Sequence, residues 1–199
     1  MGFLNAFKKM FRGKRYKVCD RLCAMGVDAR IPERGRPEEN IGMDAWPWGR
    51  GERPFESEAL IEIRGSPIRW VNVLAVEKPG GQYVTSTYVV TRWVYVVPDP
   101  CVSTQAGYML AKSVRVRSVP LIGSVSNIRW DCKSPSNLIK RISDDVFLNQ
   151  SLIRLNEDIT LCSFLEYNCW SILSSRPPSR EKWNCYETIA RHLLESSKK

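Results

Sequence analysis

Histidine, long apolar runs and early acids are what this chain has least of. It holds one histidine, His192. That excludes sites built from paired histidines, such as the His-Glu-x-x-His zinc motif. No apolar run approaches the ~20 residues that a membrane-crossing helix needs. No acid precedes Asp20, although six bases do. There is no Gly-rich phosphate loop followed by Lys-Ser/Thr and no Gly-x-Ser-x-Gly. Internal repeats and low-complexity tracts are missing too. With these motifs absent, the expectation is a non-enzymatic protein with no cofactor and no metal.

Cysteine is present but gives no disulfide framework. The seven residues are odd in number and irregularly spaced. The first apolar residues are broken by Lys8, Lys9 and Arg12, so no secretory signal is expected. The thiols are therefore read as reduced and mostly buried, in the cytosol or nucleus. Cys19 and Cys23 have zinc-ligand spacing, but a structural zinc site needs a second such pair. Cys162 and Cys169 lie among Leu161, Phe164, Leu165 and Trp170 and read as core.

What the chain has is unevenly distributed charge. The 199 residues carry 30 bases and 21 acids, a net +9. Residues 1–36 contain ten of the bases and three of the acids. The rest is almost neutral, so the protein reads as a near-neutral body with a basic N-terminal arm. At 43% apolar and 26% charged residues, that body is expected to fold.

The arm has a helical pattern. At about 100° per residue, Phe3, Leu4, Phe7, Met10 and Phe11 fall within an arc of about 120°. Lys8, Lys9 and Arg12 lie opposite, and Gly13 ends the run. Aromatic groups opposite lysines suit the headgroup boundary of an anionic membrane, where each base adds about 1 kcal/mol. Phe3, Leu4, Phe7 and Phe11 are the expected inserting residues. Lys8, Lys9 and Arg12 are the expected electrostatic partners. Lys14, Arg15 and Lys17 are assigned to lipid headgroups or nucleic acid. Two other readings of the arm stand beside this one: a helix packed on the protein's own core, and a nucleic-acid arm or import signal built on Lys14-Arg15-Tyr16-Lys17. Gly2 could accept a myristoyl chain, but Ala6 stands where that pattern wants Ser or Thr.

Residues 28–55 are dense in proline, glycine and charge and read as a linker. Trp46 and Trp48 inside it either latch the segment to the body or contact a partner. Three segments follow: an arm over 1–27, a linker over 28–55 and one domain over 56–199.

The domain begins as alternating strands. Ala59, Ile61 and Ile63 form one inward set, and Ile68 through Val76 a second. Tyr83–Val97 is β-branched and aromatic throughout, and Pro98 ends it. Val114 and Val116 are expected to face in, with Arg115 and Arg117 facing out. Ser134-Pro135 announces a short helix burying Leu138, Ile139 and Ile142. Residues 152–155 and 159–165 read as a hairpin. Ser179 then caps a last helix with Trp183, Tyr186, Ile189, Ala190, Leu193 and Leu194 on its apolar side. The order predicts an α+β fold: a mainly antiparallel sheet or partial barrel packed with a few helices.

Two arrangements in the body bear on chemistry. Pro98-Asp99 and Asp131-Cys132-Lys133 are similar to the two-carboxylate-plus-lysine layout of a Mg²⁺-dependent nuclease superfamily. Arg64, Arg69, Arg92, Arg115 and Arg117 near Trp70, Trp93 and Tyr95 could hold phosphates and stack bases. The plainer readings are turn-forming aspartates and solvent-face arginines.

The opening Met1-Gly2-Phe3-Leu4-Asn5-Ala6-Phe7-Lys8-Lys9-Met10-Phe11, with the plan of arm, linker and compact α+β body, resembles the matrix proteins of non-segmented negative-strand RNA viruses, those of rhabdoviruses most of all. The resemblance covers the arm and the layout. The Pro-Pro-x-Tyr motif common in such linkers is missing; Pro177-Pro178-Ser179 does not replace it. The resemblance implies a structural virion protein on the inner face of a host membrane and in the cytoplasm. Its partners would be an anionic membrane surface, further copies of itself, and the viral ribonucleoprotein or RNA. A nucleic-acid-binding viral protein (movement, capsid or silencing-suppressor type) is the competing expectation, with the nucleus as a further location.

Overall fold

The computed structural model describes residues 13–43, 47–49, 51–80, 86–102, 109–118, 124–132 and 137–196. The inserting set Phe3, Leu4, Phe7 and Phe11, the bases Lys8, Lys9 and Arg12, and also Trp46 and Lys133 lie outside these residues.

An eight-stranded, wholly antiparallel open sheet forms the frame, in the order β1-β2-β3-β4-β8-β7-β5-β6. Its strands are β1 (Asp28–Arg30), β2 (Arg53–Arg64), β3 (Trp70–Pro79), β4 (Thr87–Pro98), β5 (Leu110–Arg117), β6 (Val125–Cys132), β7 (Ile159–Phe164) and β8 (Cys169–Ser174). Among the described residues four α-helices accompany them: α1 (Lys14–Ala24), α2 (Asn137–Asp144), α3 (Val146–Leu155) and α4 (Arg180–Ser196). The α+β expectation with an antiparallel sheet holds, and the sheet is open rather than barrel-like.

β3 shows why the sheet forms. Trp70 to Val76 is buried at every position. A continuous buried run requires cover on both faces, whereas alternation suffices for one. One core unites the helices with Ile61, Ile63, Val71, Val73, Trp93, Tyr95, Trp170 and Ile172. A second core on the opposite face gathers Ile41, Leu60, Trp70, Leu74, Val76, Val94, Val96 and Leu173.

The helices seal the first face. α4 has the expected stripe: Trp183, Tyr186, Ile189, Ala190 and Leu193 are all buried. The Ser179 hydroxyl accepts from the Lys182 backbone N–H at 3.3 Å, as an N-cap should. Tyr186 packs on Tyr95 with ring centroids 4.5 Å apart. α2 buries Leu138 and Ile142, as its sequence suggested.

α1 was not foreseen. It begins directly after Gly13 and buries Val18 and Leu22, one turn apart on one side. It ends in a paired return: Val27 N–H reaches Leu22 C=O at 3.1 Å, and Gly26 N–H reaches Cys23 C=O at 2.9 Å. Gly26 has φ +78, the left-handed geometry of that termination.

Two local expectations need correction. Residues 152–155 are not a hairpin strand; they belong to α3. Asp145 caps that helix by accepting from Leu148 N–H at 2.9 Å, and Asn156, at φ 49, ends it. Leu148 and Leu152 repeat at the helical interval of four and are both buried. The hairpin lies one element later, where β7 pairs with β8 across a short turn closed by Asn168. In β5 the buried positions are Ala111 and Ser113, and Val114 and Arg115 are both half-buried. Val116 is 40% exposed. The Arg115 guanidinium meets Asn156 and Asp158 at the surface, the latter at 2.7 Å.

Among the described residues no α-helix covers the second face. Residues 36–43 and 47–49 lie across it as an irregular strap, with one short 3₁₀ helix at Pro37–Asn40. Ile41 is buried in the second core. The Asn72 side-chain amide, fully buried inside β3, donates to the carbonyls of Glu39 at 2.9 Å and Ile41 at 3.1 Å. Gly42, at φ +86, passes so close that a Cβ there would meet a Val94 methyl at 2.9 Å. Residues 28–30 form β1, paired to Glu62–Arg64. Residues 28–30 and 38–43 of the Pro/Gly-rich segment are thus packed on the sheet, while 33–37 are exposed.

Candidate functional site

The root of the basic arm is fixed to the body. Lys14 pairs with Glu58 of β2 and donates to Thr91 Oγ1 of β4 at 3.1 Å. Arg15 donates to the Pro32 carbonyl at 2.6 Å. Two of the three bases assigned to headgroups or nucleic acid therefore have partners inside the protein. Lys17 is exposed one turn further on, beside exposed Arg21 and Tyr16. Sequence spacing could not reveal the partners of Lys14 and Arg15, which lie 44 and 17 residues away.

Cys19 and Cys23 share one turn of α1. Both thiols donate to the Ala29 carbonyl, at 3.5 and 3.6 Å. Burial, followed by the neighbouring Cys23, pushes the Cys19 thiol up to about 11. Metal ligation needs thiolates, so this pair is poorly prepared for it. Among the described residues no three His, Cys, Asp or Glu side chains group as a metal site.

Trp48 is half-buried in the strap. Its indole N–H donates to the Gly42 carbonyl at 3.1 Å. Arg92 lies 5.8 Å from its ring centroid. The same guanidinium grips the buried Glu52 carboxylate with bonds of 3.1 and 2.6 Å, and Lys78 adds a second cation at 3.4 Å. Burial works against the Glu52 carboxylate, but Arg92 and Lys78 outweigh it and hold its pKa below the usual value. Glu52 was missed in the sequence. Its only local signal is an acid inside an otherwise basic Gly/Pro-rich stretch, Gly49 to Pro54.

Asp99 and Asp131 are not brought together. Asp99 is buried, accepting the Trp170 indole N–H at 2.8 Å and the Cys101 backbone N–H at 3.0 Å. Asp131 is exposed on β6, opposite Lys112. Four strand spacings separate β4 from β6, about 19 Å at 4.8 Å each. One metal ion cannot bridge that distance.

The sheet arginines are also engaged. Arg92 serves Glu52, Arg115 serves Asp158, and Arg64 and Arg69 both lie near Glu62. Trp70, Trp93 and Tyr95 are buried, so their ring faces are not open to stack bases.

A groove of about 330 Å³ lies between α3 and α4, lined in part by Phe147, Ser151, Arg154, Glu181 and Cys185. At its edge His192 Nε2 meets Asp145 at 2.9 Å. Burial opposes the Asp145 carboxylate, but the Leu148 N–H and His192 prevail and lower its pKa. Burial raises Cys185, leaving a protonated thiol rather than a nucleophile. Behind α4 a buried network joins Glu157, Lys182 and Ser174, the last donating at 2.6 Å. It ties the helix to β8, and its burial closes it to substrate.

No family model matches this chain, and comparison with curated proteins and with solved structures finds no match either. Among the described residues no helix is long and apolar enough to cross a membrane.

Proposed function

We propose that the protein is a non-enzymatic, viral matrix-like coat protein. It binds the inner face of an anionic membrane through its basic amphipathic N-terminus, self-associates, and links the membrane to ribonucleoprotein. One observation carries the reading: the segment bearing the phenylalanines and lysines leads into a helix whose first turn is fastened to the body by Lys14 and Arg15. A fixed root converts insertion of the arm into attachment of the whole domain. The exposed Lys17 and Arg21 continue the positive charge beyond that root. Phe3, Leu4, Phe7 and Phe11 insert, while Lys8, Lys9 and Arg12 attract the surface.

Co-flotation with anionic vesicles at two salt concentrations tests this. Wild type should float, less so at high salt. Phe7→Asp combined with Phe11→Asp should abolish flotation while leaving the circular dichroism of the body unchanged. A double variant that floats like wild type overturns the reading. Salt-dependent RNA binding without flotation transfers the protein to the nucleic-acid-binding class.

A further inference from the structure

The open edges of the sheet are unequal. β1 is only three residues long. β2 is bulged, with two register shifts against β3, and carries the acids Glu56 and Glu58. β6 presents Arg129 and Asp131, and the distal part of β5 carries Arg115 and Arg117. Short strands, bulges and charges are the devices that keep sheet edges from pairing.

β4 has an edge without them. β8 pairs with β4 only from Trp93 to Pro98. Among the described residues, no strand pairs with Thr87–Arg92 on that side. Thr87-Tyr88-Val89-Val90-Thr91 contains no charge, proline, glycine or bulge. Tyr88 is 49% exposed and Val89 61%.

The hydrogen-bond phase of this edge is fixed from both ends. Gly80 N–H donates to Ser86 C=O at 2.9 Å, so even-numbered residues turn their backbone groups toward β3. Asp99 N–H donates to Asn168 C=O at 2.8 Å, so odd-numbered residues turn toward the β8 side. The β3–β4 register runs unbroken between these points. Thr87, Val89 and Thr91 therefore direct their N–H and C=O groups at the open edge.

We propose that a second copy of this chain pairs here, antiparallel, about a two-fold axis at Val89. In that register Val89 faces its own counterpart, and Thr87 faces Thr91 of the other copy. All of the outward groups of the three residues are satisfied. Between these pairs Tyr88 lies opposite Val90, an aromatic–β-branched pair of the kind that stabilises sheets. The edge is neutral, so two copies meet without repulsion. Arg92, the first charge along the strand, is already neutralised by Glu52. A self-complementary patch is what a two-fold dimer requires. The pairing stands on the sheet edge; its use in a coat rests on the membrane reading above.

Sedimentation of the full chain across a dilution series, without vesicles, tests the pairing. Wild type should show a monomer–dimer equilibrium. Val89→Pro removes an N–H that faces the open edge and not the β3 ladder, so the fold should survive it. Val89→Lys sets two cations face to face on a side chain that is already exposed. Each should weaken dimerisation by about tenfold or more. As a gain of signal, Val89→Cys in a Cys23→Ser, Cys101→Ser background should form an intermolecular disulfide under mild oxidation. The Cα atoms of such a pair are about 5.5 Å apart. Thr87→Cys in the same background should not, because its two copies are four residues apart along the strand. A wild type that stays monomeric overturns the proposal, as does a dimer indifferent to both Val89→Pro and Val89→Lys. Neither result touches the arm, which flotation tests separately.

Discussion

The two faces of the sheet are closed in different ways. Helices cover one with large apolar side chains, Trp183, Tyr186, Ile189 and Leu193 among them. An irregular strap covers the other, held by the Asn72 bonds to Glu39 and Ile41 and by Arg92, which lies near the Trp48 ring and grips Glu52 just beyond the strap. Apolar area makes the first closure cooperative. Directed bonds make the second local, polar and separable. The strap face should thus open first, with the helix face setting global stability.

The largest test of that contrast strikes the helix face. Trp183→Ala should cost about 3–5 kcal/mol by chemical denaturation and should loosen every element together. Asn72→Ala comes next, at about 1–3 kcal/mol for the strap carbonyls left without their donor. Its signature is selective: amide exchange should quicken at residues 38–43 while α4 stays protected. If α4 amides accelerate equally, the two closures are one unit.

A third test uses pH. Glu52 has a lowered pKa in the folded chain, so its stabilisation is present above the unfolded value of about 4.3 and is lost as pH falls through the folded one. Glu52→Gln should be less stable than wild type near neutral pH. That difference should vanish in acid, read as converging urea midpoints. The smallest effect is expected at the surface. Lys17→Ala with Arg21→Ala should change stability by no more than about 0.5 kcal/mol. The same pair should still reduce vesicle flotation at low salt.

The sequence disclosed these regions to different degrees. The strands from Ala59 to Val97 were legible because β-branched runs and Pro98 leave little else for them to be. The stripe of α4 was legible from its spacing. α3 was misread because Leu152-Ile153-Arg154-Leu155 is too short a run to separate helix from strand; the cap at Asp145, seven residues earlier, decides it. α1 was missed because only Val18 and Leu22 are buried in a helix rich in charge. The anchors of the strap, Asn72 and Arg92 among them, were not legible because they belong to distant strands. The same non-locality hid the partners of Lys14 and Arg15.

The buried thiols have a practical consequence. Cys162 and Cys169 are shut inside the folded protein, and burial pushes the Cys169 thiol up to about 12. Both belong to the strap-side core, whereas Cys185, on the helix side, lines the groove between α3 and α4. An alkylating reagent can reach the strap-side pair only when the structure around it gives way. The chain thus contains its own clock for the strap face. The rate at which those two sulfurs become labelled reads out how often that cover lifts.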